Sequence, residues 1–325
     1  MLYNENIKEE FLNEYNNEAT QDTMRHLFLK SAETEDMLKK DLYDFTLEEI
    51  GTIMYEINPK TTNSARTYGR FINYYIDWAI EHYRTGNVSS LNGEPIDHFD
   101  KYIDKDLKLL YSEEEIIEME DKLINYQDKV VIRMLFEGVE GDGLSELLNL
   151  QEDDVDFEKG ILHLKDDKKG ERTLEIKDED KRCLEFIQKA SGESYYHFKN
   201  GEGKGKNKGI ELLENNYVVK SVRNRAINLE RADKHLIYRR LATVSKMLEY
   251  PYLNAKNIMK SGMLKMAKDL YVRDGELEKV QLTEIAERFN ATKVKINNTL
   301  DYNLTPIKSV VTIDNLKELY PEIFM

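Results

Sequence analysis

Residues 137–164 read EGVEGDGLSELLNLQEDDVDFEKGILHL, and residues 165–176 continue KDDKKGERTLEI. A short helix is expected at about 145–150. An acidic turn follows, then short strands around Ile161–Leu164 and Thr173–Ile176 joined by charged turns. A third strand is expected at Tyr195–Phe198. The rest of the neighbourhood carries helical spacing, with helices opening near Ser112 and running over about 128–137. Ser112-Glu113-Glu114-Glu115 places Glu three residues after Ser, a capping box that marks the start of a new unit. A small sheet set among helices gives an α+β domain over about 110–272 in a chain that is mainly α with a small β-sheet.

Upstream, residues 1–58 carry helical patterns such as Met24, Leu27, Phe28 and Met37. After the turn Asn58-Pro59-Lys60, TTNSARTYGRFINYYIDWAIEHYRTG places Tyr68, Phe71, Ile72, Tyr75, Ile76 and Ala79 on one apolar helix face. Ser64 is the expected N-cap. Arg66, Arg70 and Asn73 lie off that face. Asn92-Gly93-Glu94-Pro95 and the charged run to Lys108 have linker composition. Downstream of 200, NGEGKGKNKG reads as a flexible basic loop, and the chain to about 271 reads as helical. In the tail, Leu282, Ile285, Ala286 and Phe289 form one face, a break falls at Asn290-Ala291, and Val294, Ile296 and Leu300 follow. That pattern is expected to be two short helices, either a hairpin packed on the core or a DNA-reading helix-turn-helix. The expected organisation is 1–105, 106–272 and 273–325.

The chain has 325 residues, of which 40% are hydrophobic and 34% charged, enough to bury cores. One cysteine, Cys183, excludes a disulfide framework and a Cys-based zinc site. No apolar run approaches a membrane span, and the acidic N-terminus lacks a leader's apolar core. A cytoplasmic protein without cofactor or metal is expected. No phosphate-cradling or dinucleotide-binding glycine loop is present. The net charge of −15 hides an asymmetry. Residues 1–180 sum to −23, residues 181–270 to +10 and residues 271–325 to −2. A basic block in an acidic chain points to a surface facing a polyanion.

Several segments together resemble the tyrosine recombinase (phage integrase) family over roughly residues 60–272. TTNSARTYGRFINYYIDW is similar to the helix of its core-binding domain, and YSEEEIIEM to the start of its catalytic domain. EGVEGDGLSELLNL resembles Gly-x-Arg-x-x-Glu-x-x-x-Leu, HLIYRRLAT resembles His-x-Leu-Arg-His-x-Phe-Ala-Thr, and IMKSGMLKMAKDLY resembles the segment leading to the tyrosine nucleophile. The resemblance implies a two-domain architecture, here with a helical C-terminal extension.

It also implies a set of catalytic positions, and these are altered. The first arginine falls on Gly143 and the second on Tyr238. Strict alignment on Arg172 puts the hairpin lysine on Asp167, with Lys165 and Lys168 beside it as alternatives, and the third histidine or tryptophan falls on Met263. His235 matches the first histidine, Arg239 stands at the following one, and Tyr271 lies near the nucleophile position. Chemistry at a phosphodiester needs preorganised cations on the non-bridging oxygens. Their loss implies a recombinase fold without catalysis. The expected function is sequence-specific binding of double-stranded DNA, as a phage or prophage transcriptional repressor maintaining lysogeny. The expected DNA contacts are Asn63, Arg66, Arg70, Lys168, Lys169, Arg172, Lys220, Arg223, Asn224, His235, Arg239 and Arg240, with a further basic loop at Lys204, Lys206 and Lys208. Residues 60–84 would grip one face of the duplex and residues 165–240 the other. The acidic N-terminal portion, −8 over residues 1–60, is left for another protomer or an antagonist protein. Two alternatives stay open: an active recombinase with Tyr271 as nucleophile, and a protein–protein regulator with no DNA role.

Overall fold

The structure is a computed structural model, and it describes residues 2–103, 107–177, 181–205, 208–223, 231–296 and 299–325. The chain folds as two compact units, residues 1–107 and residues 108–325.

The first unit is helical: α1 (Glu5–Leu12), α2 (Glu18–Leu38), α3 (Leu47–Ile57) and α4 (Thr62–His82), closed by a 3-10 stretch at Ile96–Tyr102. The helix starts are written locally. Asn17 accepts from the Thr20 N–H, and Thr46 and Glu49 form a reciprocal capping box. Thr61, rather than Ser64, caps α4, its side chain accepting from the Ser64 N–H at 3.1 Å. Ala65, Ile72, Tyr75, Ile76 and Ala79 are buried, as the apolar face requires. Gly69 sits under the Phe99 ring, which leaves no room for a Cβ there. A polar cluster lies inside this core. The fully buried Lys8 ammonium donates to Glu35 at 2.6 Å and to the Tyr3 carbonyl at 2.7 Å. The Tyr75 hydroxyl donates to Asp41 at 2.8 Å. Burial, with Asp41 adding to it, pushes the Tyr75 hydroxyl far above its ordinary pKa.

The second unit opens with α5 (Glu113–Lys122), whose Ser112–Glu115 capping box is formed as expected. Then come α6 (Tyr126–Glu137), α7 (Ser145–Asn149), β1 (Val155–Asp156), β2 (Ile161–Asp166), β3 (Gly170–Glu175), α8 (Lys181–Gly192), β4 (Tyr195–His197) and β5 (Gly209–Glu211). The helices α9 (Lys234–Met247), α10 (Ala255–Asp274) and α11 (Lys279–Arg288) follow. The chain ends with β6 (Lys293–Ile296), β7 (Thr299–Tyr302), α12 (Thr305–Lys308) and α13 (Ile313–Leu319). The three-stranded antiparallel sheet runs β1-β2-β3, with Leu162 opposite Leu174. Leu162, Leu164 and Leu174 point inward and are buried, so the alternation read from the sequence sets the register. α6 is the central helix, every residue from Val130 to Glu137 being buried. It is packed by α8 on one side and α10 on another.

Two expectations are corrected. The tail beyond Asn290 is a β-hairpin, not a second helix: β6 pairs antiparallel with β7, Lys293 opposite Tyr302. Asn290 takes a left-handed φ of 48° that ends α11, and Lys293-Val294-Lys295-Ile296 then alternates with period two. No helix-turn-helix forms among the described residues. The tail also shares a core with α10, since Leu282, Ile285, Phe289, Ile307, Leu316 and Tyr320 pack on Met263, Leu264, Ala267 and Leu270. Second, residues 212–223 are extended and irregular rather than helical, tied by the bridges Gln151–Tyr217 and Leu212–Val222. Among the described residues no helix is long and apolar enough to cross a membrane.

Candidate nucleic-acid interface

The corner between α6 and α7 is built on left-handed backbone. Gly138, Gly141 and Gly143 have φ of 97°, 73° and 60°, and Leu144, which has a Cβ, is held at 68°. Gly143 thus stands at the position matched to the first arginine with no side chain. Carboxylates surround it. Glu146 is fully buried and receives a two-pronged bond from Arg172, Nε to Oε1 at 2.7 Å and Nη2 to Oε2 at 2.8 Å. Arg172 also donates to the Gly138 and Arg288 carbonyls at 2.8 and 2.7 Å. It is therefore an internal brace joining the sheet, the corner and α11, which departs from its expected role on DNA. Asp166 accepts from the backbone N–H groups of Asp142, Lys168 and Lys169 at 2.7–3.0 Å. Burial works to raise its pKa, but those three bonds outweigh it and hold the carboxyl below its usual range.

Glu140 goes the other way. Burial pushes its pKa up to about 7, with Glu146 and Asp166 adding to the rise and Lys169 and Lys256 opposing it. A group that holds its proton more tightly when folded contributes stability that is full below about pH 4.5 and is lost as pH rises through about 7. Glu140→Gln should abolish that dependence, so that wild type loses about 1 kcal/mol relative to the variant between about pH 5 and 8, after discounting for the nearby cations. Parallel stability–pH curves from urea denaturation would contradict this.

The cations chosen from the sequence divide into two groups. In the first, each is held by the protein itself. Arg66 is paired with Asp100 at 2.9 and 2.5 Å. Lys168 is paired with Asp142 at 2.9 Å, and the Lys169 ammonium donates to the Asn290 carbonyl. Arg223 is paired with Glu211 at 3.2 Å in an exposed contact. Lys220 and Arg240 are corrected outright, because both are buried. The Lys220 ammonium donates to the Ser191 carbonyl, and Arg240 donates to Gln127 Oε1 at 3.1 Å and to the Lys220 carbonyl at 2.8 Å. A phosphate cannot reach either side chain without unpacking this core.

The second group is exposed and carries no ion pair among the described residues: Arg70 and Asn63 on α4, His235 and Arg239 on α9. Asn224 and Lys206 lie outside the described residues. At the remaining matched positions, Tyr238 is 45% exposed where the second arginine is expected, Met263 is buried, and the half-buried Tyr271 ring packs 5.2 Å from Phe324. Asp167 is bonded by Arg231 at 3.2 Å and by Asn149 at 2.9 Å. The Arg231 bond, then that of Asn149, holds its carboxyl below the usual range.

The sequence reading missed four cations in this neighbourhood. Arg231 neutralises Asp167. Lys234, the residue before His235, extends over Gly143, its Cδ 3.8 Å from where a Cβ of Gly143 would lie. Lys256, which faces Glu140 electrostatically, and the half-buried Lys260 stand one turn apart on α10, with no hydrogen bond or ion pair from either side chain among the described residues. The available signal was positional: Lys234 adjoins a motif residue, Lys260 precedes Gly262 within the matched segment, and Lys256 stands just before that segment. Among the described residues no His, Cys, Asp and Glu side chains group to hold a metal ion.

Residues 110–321 match the family described as MrpR, C-terminal catalytic domain, and residues 2–81 match MrpR, N-terminal core-binding domain. The chain belongs to the MrpR family. It is 36% identical over 295 residues to the SPbeta prophage-derived uncharacterized protein YopR of Bacillus subtilis (strain 168), covering 89% of each chain. Among solved structures it is similar to a lambda integrase dimer bound to a COC' core site, with a TM-score of 0.50 at 10% identity, covering 89% of this chain and 95% of that one. It is also similar to the Tn1549 transposon integrase in complex with transposon right end DNA, with a TM-score of 0.47 at 11% identity over 100% of both. The fold of this MrpR-family chain is that of the two-domain tyrosine recombinases.

Proposed function

We propose that this protein is a sequence-specific DNA-binding protein, a prophage transcriptional repressor that maintains lysogeny, working on a recombinase fold that does not cleave DNA. The observation that carries the reading is the corner at Gly143. A tyrosine recombinase needs a cation there, and this chain offers a glycine bordered by Glu140, Asp142, Glu146 and Asp166. Tyr238 replaces the second arginine, and Arg172 and Arg240 are braced inside the protein, whereas Arg239, next to Tyr238, is exposed. Each missing preorganised donor costs about 100- to 1,000-fold in rate. Binding is not subject to the same loss, since phosphate contacts need only positive charge within reach.

The prophage origin of the YopR relative and the binding of the lambda integrase neighbour to its core site support a role on DNA. Asn63 and Arg70 present the contacts of the first unit, and Arg239 and His235 those of the second. The acidic residues 1–60 are left for a second copy or an antagonist protein.

Two experiments test this. Fragments of the source genome selected by the purified protein at about 0.15 M salt should share a motif, with affinity falling steeply as salt rises. A nicked duplex carrying that motif should then yield no SDS-resistant protein–DNA adduct. Recovery of no fragment above background sinks the DNA reading. An adduct that disappears in Tyr271→Phe overturns the loss of catalysis and makes the protein a recombinase.

A further inference from the structure

We infer that Lys234 is a phosphate anchor that has taken over the space left by Gly143 and holds one DNA phosphodiester in place without activating it. The inference rests on the DNA-binding reading and assigns a contact within it.

Three observations converge on Lys234. The first is position. Its Cδ lies 3.8 Å from the point where a Cβ of Gly143 would lie, and among the described residues nothing else beyond the glycine's chain neighbours is within 4 Å of that point. A side chain at 143 would compete for the same corridor, so the glycine and the lysine are complementary. The second is the state of the neighbouring charges. Asp142 is neutralised by Lys168 at 2.9 Å, Asp167 by Arg231 at 3.2 Å and Glu146 by Arg172 at 2.7 Å. Asp166 is satisfied by three backbone N–H groups. Asp142, Glu146 and Asp167 are thus each paired with a cation and Asp166 is held by backbone N–H groups, while burial pushes the pKa of the Glu140 carboxyl up to about 7 and so reduces its charge. The third is that Lys234 is exposed and makes no hydrogen bond or ion pair among the described residues, while His235 beside it is exposed as well. Lys234 is an exposed positive charge beside Gly143, not engaged by any of these carboxylates among the described residues.

The choice of lysine fits binding rather than turnover. An arginine fork grips two non-bridging oxygens in a fixed plane, which is how charge developing on a phosphorane is stabilised. An ammonium on a four-carbon stem is a point charge with three rotatable donors. It neutralises a ground-state phosphate and releases a counterion, yet imposes no geometry on a transition state.

The test uses the full-length protein and the genome fragment that it selects. Each phosphate of the protected region is replaced singly by a neutral methylphosphonate, and binding is measured for wild type, Lys234→Ala and Lys234→Arg. The expected result is about a 10-fold loss in Lys234→Ala with unchanged motif preference. The slope of log affinity against log salt should shrink by about 1. One methylphosphonate position should cost wild type about 10-fold and cost Lys234→Ala nothing further. Lys234→Arg should retain binding. Unchanged affinity and slope in Lys234→Ala overturns the anchor while leaving the DNA reading intact. So does a loss in which every methylphosphonate position still costs the variant as much as wild type. Failure of wild type to select any fragment overturns both.

Discussion

Gly262→Ala should destabilise the second unit by at least about 3 kcal/mol and lower its melting temperature by about 6–12 °C. Gly262 lies inside α10 where that helix crosses α6. A Cβ there would overlap the carbonyl oxygen of Phe136 and stand 2.8 Å from its carbonyl carbon. The obstacle is backbone in the most buried helix of the unit, so no side chain can swing aside. Either α10 moves away from α6, or α6 distorts next to the Gly138 turn. Moving α10 also pulls on the tail, whose core rests on Met263, Leu264, Ala267 and Leu270. Alanine favours helix over glycine by about 1 kcal/mol, and that gain is too small to offset the overlap. Gly192→Ala is the control, because a Cβ at Gly192 meets nothing within 4 Å. Calorimetry reads both. A Gly262→Ala protein melting within about 2 °C of wild type would mean that α6 and α10 do not approach as described.

The elements legible in the sequence are those fixed by near neighbours. The Ser112–Glu115 capping box is complete within four residues. The Ile161–Leu164 strand declares itself by alternation between turn residues, and the structure extends it only to Asp166. The apolar face of α4 is likewise a local spacing, and its N-cap is misplaced by only one turn, from Thr61 to Ser64. The tail failed for a different reason. The helical spacing of Leu282 to Phe289 is real, but it ends at Asn290, and the segment beyond has a period of two.

The site was legible at the level of which chemistry is missing and obscure at the level of which cations are free. Gly143 and Tyr238 can be matched by counting along a motif. Whether an arginine faces solvent depends on partners far away in sequence. Arg172 meets Glu146 from 26 residues away and the Arg288 carbonyl from 116. Lys220 is held by Ser191 29 residues earlier, and Arg240 by Gln127 at a separation of 113. A basic block in the sequence therefore overstates the basic surface. In this fold part of the +10 charge of residues 181–270 is used to satisfy buried carbonyls, and a partly different set, including Lys234, Arg239 and Lys256, is left outside.

That division makes a prediction with a large effect. The double reversal Arg70→Glu/Arg239→Glu should lower affinity for the selected DNA by about 100-fold at about 0.15 M salt. Each reversal removes one phosphate contact and adds one repulsion, together about 2.7 kcal/mol. Both side chains are exposed and free of ion pairs among the described residues, so the melting temperature should hold to within about 2 °C. Lys220→Met should behave in the opposite way. Its ammonium lies inside the second unit and donates to the Ser191 and Glu193 carbonyls, so its removal leaves buried acceptors unsatisfied. Stability should fall by about 1–3 kcal/mol, with the salt slope of DNA binding unchanged at temperatures where the protein is folded. The pair separates charge used for architecture from charge used for DNA. If Lys220→Met flattens the salt slope, the buried position of Lys220 is wrong. If the double reversal binds DNA as wild type does, duplex recognition lies on another surface, and the exposed faces of α4 and α9 have some other partner.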